Sequence, residues 1–118
     1  MCTIGAKKIN GIFYLLKTRD PVPGWMFEDE VKLFDDNIKK LIVCNKDGMY
    51  GGVNQKGVGI VGTYVKIKEG QSAYFDDNHI RMVLDSNTAQ KALNFIKNFK
   101  PTMGGNIILA DKRRCFWL

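Results

Sequence analysis

The apolar residues of this chain change their period once, just after Gly70, and that change limits the fold more than any other feature. Before it they alternate or run together, as in strands. After it Ile80, Val83 and Leu84, then Ala89, Ala92, Leu93, Ile96 and Phe99, fall three and four apart, as on one face of a helix. The spacing predicts strands near 3–8, 11–18, 31–34, 39–44 and 57–68, then helices near 80–84 and 89–99. Asn87 or Thr88 would cap the second helix and Pro101 would stop it. Strand signals return at 106–110 and 115–118, joined by Asp111-Lys112-Arg113-Arg114. The order is βββββ-αα-ββ, an α+β class with antiparallel strands followed by two helices and a terminal hairpin.

Turn chemistry supports this division. Asn10-Gly11 is a two-residue hairpin signal, so residues 2–18 should form one hairpin. Arg19-Asp20-Pro21-Val22-Pro23-Gly24 then breaks the sheet, because proline has no N–H to give to a ladder. Asp35-Asp36-Asn37 and Lys46-Asp47-Gly48 read as turns, and Asn54-Gln55-Lys56-Gly57 as a further hairpin turn, with Asn54 in a structural role. Gly59 and Gly62 inside the 57–68 strand suggest bulges or a close approach of backbone. The apolar end Cys115-Phe116-Trp117-Leu118 must be buried in a sheet or leave an apolar edge.

At 118 residues the chain has the length of one domain, 1–118. With 45% hydrophobic and 25% charged residues it has globular rather than disordered composition. No apolar run is long enough to span a membrane, and Lys7, Lys8 and Lys17 interrupt anything resembling a signal peptide, so a cytoplasmic chain is expected. Three cysteines at positions 2, 44 and 115 favour free thiols and supply no CxxC metal pair. The net charge of +6 comes largely from scattered lysines, which read as solvated surface. The competing reading is a nucleic-acid footprint, densest at Lys112-Arg113-Arg114 beside Phe116-Trp117.

Cys2 carries the sharpest chemical suggestion. Removal of the initiator Met would put a thiol and a free α-amine on one residue. That amine's ordinary pKa, about 7.7–8.0, suits a general base at neutral pH. The plain alternative is a small residue at position 2 with no role. Met1-Cys2-Thr3, Asn10-Gly11 before an apolar strand, Arg19-Asp20, and Gly52-Val53-Asn54-Gln55-Lys56-Gly57-Val58-Gly59 together resemble the N-terminal-nucleophile (Ntn) hydrolases. The nearest branch is the bile-salt hydrolase, penicillin V acylase and acyl-coenzyme A:penicillin acyltransferase group. Thr88 to Leu93 resembles that group's second helix, and Asn106 to Leu118 its following hairpin.

The resemblance implies an αββα sandwich, here half-built or incomplete, and a cysteine hydrolase or acyltransferase acting on a linear amide through a thioester. Cys2 would be the nucleophile. Asp20 would hold its α-amine, although Asp20 also reads as a loop-capping carboxylate before Pro21. Arg19 would stand near the sulfur and favour thiolate, although bile-salt hydrolases set their Arg three residues before the Asp rather than adjacent. Tyr64 stands where the group has an Asn whose backbone N–H contributes to the oxyanion hole. No cofactor or metal is implied. Members of the group are a good deal longer, so the chain reads as a fragment, as the small chain of a processed enzyme, or as a reduced relative that assembles as a homo-oligomer or with a complementing second chain. The runner-up function is a non-catalytic binding or assembly subunit of the same fold.

Two other motifs have plainer readings. Gly57-Val58-Gly59-Ile60-Val61-Gly62 matches the dinucleotide-binding pattern G-x-G-x-x-G, but strand sequence follows it where a helix is needed. Asp76-Asp77-Asn78-His79 offers metal-ligand types, and also the residues that cap a helix.

Overall fold

The computed structural model describes residues 2–19, 24, 28–46, 48–63, 77–98 and 105–118. Strands β1 (Ile4–Ile9) and β2 (Ile12–Lys17) form an antiparallel hairpin registered from Ile4 opposite Lys17 to Ile9 opposite Ile12. Asn10 and Gly11 hold φ of 49° and 82°. Positive φ at both central residues is what a type I′ turn requires, and Asn-Gly adopts it at least cost.

The remaining strands are β3 (Glu30–Asp35), β4 (Lys39–Asn45), β5 (Gly48–Asn54), β6 (Gly59–Gly62), β7 (Ile107–Ala110) and β8 (Cys115–Trp117). They make one antiparallel sheet in chain order, β3-β4-β5-β6-β7-β8. Helices α1 (Asp77–Val83) and α2 (Ala89–Asn98) lie between β6 and β7 in sequence. The α+β class and the antiparallel pairing are those expected. No described helix is long and apolar enough to cross a membrane.

The helices cover one face of the six-stranded sheet. Ile42, Ile60, Ile107 and Leu109 from the sheet meet Ile80, Val83, Leu84, Ala89, Ala92 and Leu93 from the helical layer, and all are buried. Thr88 caps α2 as expected: its Oγ1 accepts from Lys91 N at 3.2 Å. A second cap comes from far along the chain, where Asp111 Oδ2 accepts from Ala89 N at 2.7 Å. Its other oxygen accepts from Arg113 N and Arg114 N, which shapes the β7–β8 turn.

Partial burial works against the Asp111 charge, but the backbone donors of Ala89, Arg113 and Arg114, with the charge of Arg114, outweigh it and hold the carboxyl below its usual range. The carboxylate therefore stabilises the fold above the ordinary Asp range, and that contribution is lost as pH falls through the lowered folded-state value. Thermal unfolding of Asp111→Asn should show a flatter loss of stability than the native chain below about pH 4.

The hairpin packs on the opposite face, with β2 across β6 and β1 across β7. Layers therefore run helices, six-stranded sheet, hairpin. Beyond β6 only Lys17 and Arg19 are seen, among the described residues, to reach across, to Tyr50 of β5 and to Asp29, and the same face of β3, β4 and β5 leaves Val31, Leu33, Leu41, Val43 and Val53 exposed.

Strand β5 corrects the sequence reading, which put only turns and glycines there. Gly51 and Gly52 disfavour a strand in isolation. The sheet requires them nonetheless: a Cβ on Gly52 would stand 2.5 Å from the Leu41 carbonyl oxygen and 3.0 Å from Leu84 Cδ1. Gly52→Ala should lower stability by about 2 to 3 kcal/mol, read as a fall in the denaturant midpoint. The glycine motif at 57–62 is a turn and then strand β6, paired on both sides, so its glycines do not form a phosphate-binding loop. The outer part of the expected 57–68 strand, 64–68, and Pro101 lie outside the described residues.

Lysines are not all solvated surface. Lys40 is 1% exposed. Its ammonium is held by Asp85 and, at 3.3 Å, by Asp36, and Arg81 reaches Asp36 at 2.7 Å while lying over the Phe34 ring. These pairs tie α1 and its C-terminal turn to the β3–β4 turn.

Candidate active site

The hairpin turn decides which residues share the site. Its ladder continues past the strand ends: Thr18 N donates to Thr3 O at 2.8 Å, and Thr3 N donates to Thr18 Oγ1 at 3.1 Å. Two residues beyond the Ile4–Lys17 pair, the register sets Cys2 across from Arg19. Side chains alternate along a strand, so Cys2, Ile4, Lys17 and Arg19 fall on one face, the one turned to the six-stranded sheet. Ile4 is buried there, and Lys17 Nζ donates to the Gly62 carbonyl.

Tyr50 of β5 organises the cations. The Arg19 guanidinium lies 3.9 Å from its ring centre and Lys17 Nζ 5.2 Å. Tyr50 Oη donates to Asn45 Oδ1 at 2.8 Å, and Asn45 Nδ2 donates to Asp29 Oδ1 at 3.2 Å. Asp29 also accepts from and ion-pairs with Arg19. Burial pushes the Lys17 ammonium below the usual lysine range. Negative charge on Cys2 opposes this, Arg19 adds to it, and Asp29 opposes it. Cys2 thus lies within electrostatic reach of Lys17.

A cleft of about 770 Å³ runs from this polar end along the free edge of β2. Lys17, Arg19, Asp29 and Tyr50 line one end, and Leu15, Leu41, Val43, Val53 and Val61 line the apolar remainder. Cys2 is half-buried and does not itself line the cleft. All three cysteines are free thiols: Cys44 is buried and Cys115 exposed, its thiol pushed up by burial of the sulfur.

Of the four site residues read from the sequence, Cys2 and Arg19 are brought together; Asp20 and Tyr64 lie outside the described residues. Sequence reasoning missed Lys17, Tyr50 and Asp29. The parity of the hairpin could have found Lys17, since its pairing with Ile4 sets it on the face of Cys2. Tyr50 and Asp29 come from distant elements and left no local signal. Among the described residues no group of His, Cys, Asp and Glu could hold a metal ion. Asn54 is the turn residue expected, and does more: its Oδ1 accepts from Lys56 N and Val58 N, while Nδ2 donates to Leu84 O at 2.7 Å and Ser86 O at 2.8 Å.

Comparison with models of known protein families matches none of them to this chain, and comparison with curated proteins gives no match either.

Proposed function

We propose that the chain is a cysteine hydrolase or acyltransferase of the Ntn type, or the small chain of one, acting in the cytoplasm on a linear, non-peptide amide. The observation that supports it is the register that sets Cys2 across from Arg19 and on the face of Lys17, two residues that line the polar end of a cleft between two stacked β layers. With Met1 removed, the α-amine of Cys2 takes the thiol proton. The thiolate adds to the amide carbonyl, and the tetrahedral adduct collapses as the α-ammonium returns that proton to the departing amine. Water or an acceptor amine then attacks the thioester and gives a proton to the α-amine, which passes it to the departing sulfur, releasing the acyl product and restoring the thiol and the free amine. Asp20 would orient the amine, and the Tyr64 backbone N–H would meet the oxyanion.

In this reading Arg19 and Lys17 supply the positive field around the sulfur and the developing oxyanion. Arg19→Met should lower kcat/KM on an N-acyl p-nitroanilide by about a hundredfold, with most of the loss in kcat. A loss confined to KM would make Arg19 a substrate-binding group only. The exposed face of β3–β5 favours a second reading, a non-catalytic assembly subunit. Absence of turnover on any N-acyl amide by Met-free protein would select it.

A further inference from the structure

Four side chains at the polar end of the cleft form a closed circuit. Arg19 Nη1 donates to Asp29 Oδ1, and Asn45 Nδ2 donates to that same oxygen at 3.2 Å. Tyr50 Oη donates to Asn45 Oδ1 at 2.8 Å, and the Arg19 guanidinium lies over the Tyr50 ring, 3.9 Å from its centre. The four residues come from four places in the chain. Arg19 follows β2, Asp29 precedes β3, Asn45 ends β4 and Tyr50 lies within β5. The circuit thus joins the hairpin layer to three neighbouring strands of the six-stranded sheet.

Its contacts are of the kind that fix a guanidinium completely. An arginine just past a strand end turns about several single bonds, and ordering it costs conformational entropy. Stacking on a ring fixes the plane of the group. A carboxylate on one edge then fixes its rotation within that plane. Arg19 has both, and its side chain is only 15% exposed. Asp29 is steadied in turn by Asn45, and Asn45 by Tyr50.

We infer that Asp29 is a positioning residue for the Cys2 thiolate: through this circuit it holds the Arg19 guanidinium beside the sulfur that the hairpin register sets across from it. That role presupposes Cys2 as the nucleophile of the proposed reaction. Asp29 touches neither the sulfur nor the substrate in this role and acts only through Arg19.

The direct effect of Asp29 on the sulfur has the opposite sign. A carboxylate nearby disfavours a second negative charge, whereas a guanidinium held close favours it. The charged groups described at this end are Lys17 and Arg19 from the hairpin and Asp29 from the start of β3, with the Tyr50 hydroxyl beneath them. Lys17 is held on the Gly62 carbonyl and is the same in every comparison below. If Asp29 acts through Arg19, its removal raises the thiol titration, and if it acts only as a charge, its removal lowers it.

The test is the pH dependence of Cys2 alkylation by iodoacetamide in Met-free protein, read on the peptide that begins at Cys2. Arg19→Met and Asp29→Ala should each move the midpoint up by about one unit. In the Arg19→Met background, Asp29→Ala should move it down, because only the direct effect remains. Asp29→Asn, which keeps an oxygen for Arg19, should move it up by less than Asp29→Ala. Far-UV circular dichroism of Asp29→Ala should match the native chain, since the Asp29 side chain is 33% exposed. A midpoint that falls or stays put in Asp29→Ala, an equal rise with and without Arg19, or an Asp29→Asn shift as large as that of Asp29→Ala would overturn the inference. Alkylation needs no substrate. The predicted titrations in protein that hydrolyses no amide would therefore remove the hydrolase reading alone, and turnover by a chain indifferent to Asp29→Ala would remove this role alone.

Discussion

Met-free protein in which Cys2 is replaced by Ala should lose amide hydrolysis by about ten-thousandfold, the order seen when a covalent nucleophile is removed and binding alone remains. Cys2→Ser keeps the α-amine as base but replaces a thiol by a hydroxyl that is far less acidic, so its activity should also fall steeply. Cys115→Ser should leave turnover unchanged, because Cys115 lies on β8, an edge strand of the six-stranded sheet, and does not line the cleft. Protein that retains Met1 should be as inactive as Cys2→Ala, since its position 2 nitrogen is an amide and cannot take a proton. Steady-state hydrolysis of an N-acyl p-nitroanilide by these four proteins and the Met-free native chain is the check. Equal activity of the Met-retaining and Met-free forms would remove the amine from the mechanism.

The largest expected effect on stability is at Asn54, which is 4% exposed at the end of β5. One side chain closes the turn to β6 and ties the sheet to the end of α1 through the Leu84 and Ser86 carbonyls. Truncation to Ala leaves four backbone groups short of a partner. Of these, Val58 N–H and Leu84 C=O are fully buried. Each such orphan costs about 1 to 3 kcal/mol, so Asn54→Ala should lose about 4 kcal/mol, a large share of what a domain this size possesses. Asn54→Asp keeps the two acceptor contacts but turns a charged oxygen towards two carbonyls, so it should do no better. Urea unfolding of the three proteins gives the comparison. A loss under 1 kcal/mol for Asn54→Ala would mean that water replaces the side chain.

What the sequence could reveal follows from how local each signal is. Asn10-Gly11 specifies a turn by backbone chemistry alone, and the hairpin follows it. The helical stripe over 89–98 and the Thr88 cap are likewise readable within one turn of chain. Strand β5 was not, because Gly51 and Gly52 are strand residues only when Ile60 and Leu41 press against them from both sides. Lys40 reads as surface until the fold brings Asp85 beside it. At the site, Cys2 and Arg19 were legible as types, and Lys17 was legible through strand parity. Tyr50, Asn45 and Asp29 join them only once β5, β4 and the residue before β3 are stacked under the hairpin.

The central claim is covalent: acyl groups pass through the sulfur of Cys2. Met-free protein mixed with an N-acyl p-nitroanilide, quenched in acid during turnover and mapped by peptide mass, should show the acyl increment on the peptide beginning at Cys2, and none there in Cys2→Ala. An increment carried by Cys115 in its place, or no increment on a chain whose mass proves Met1 absent, would contradict the account.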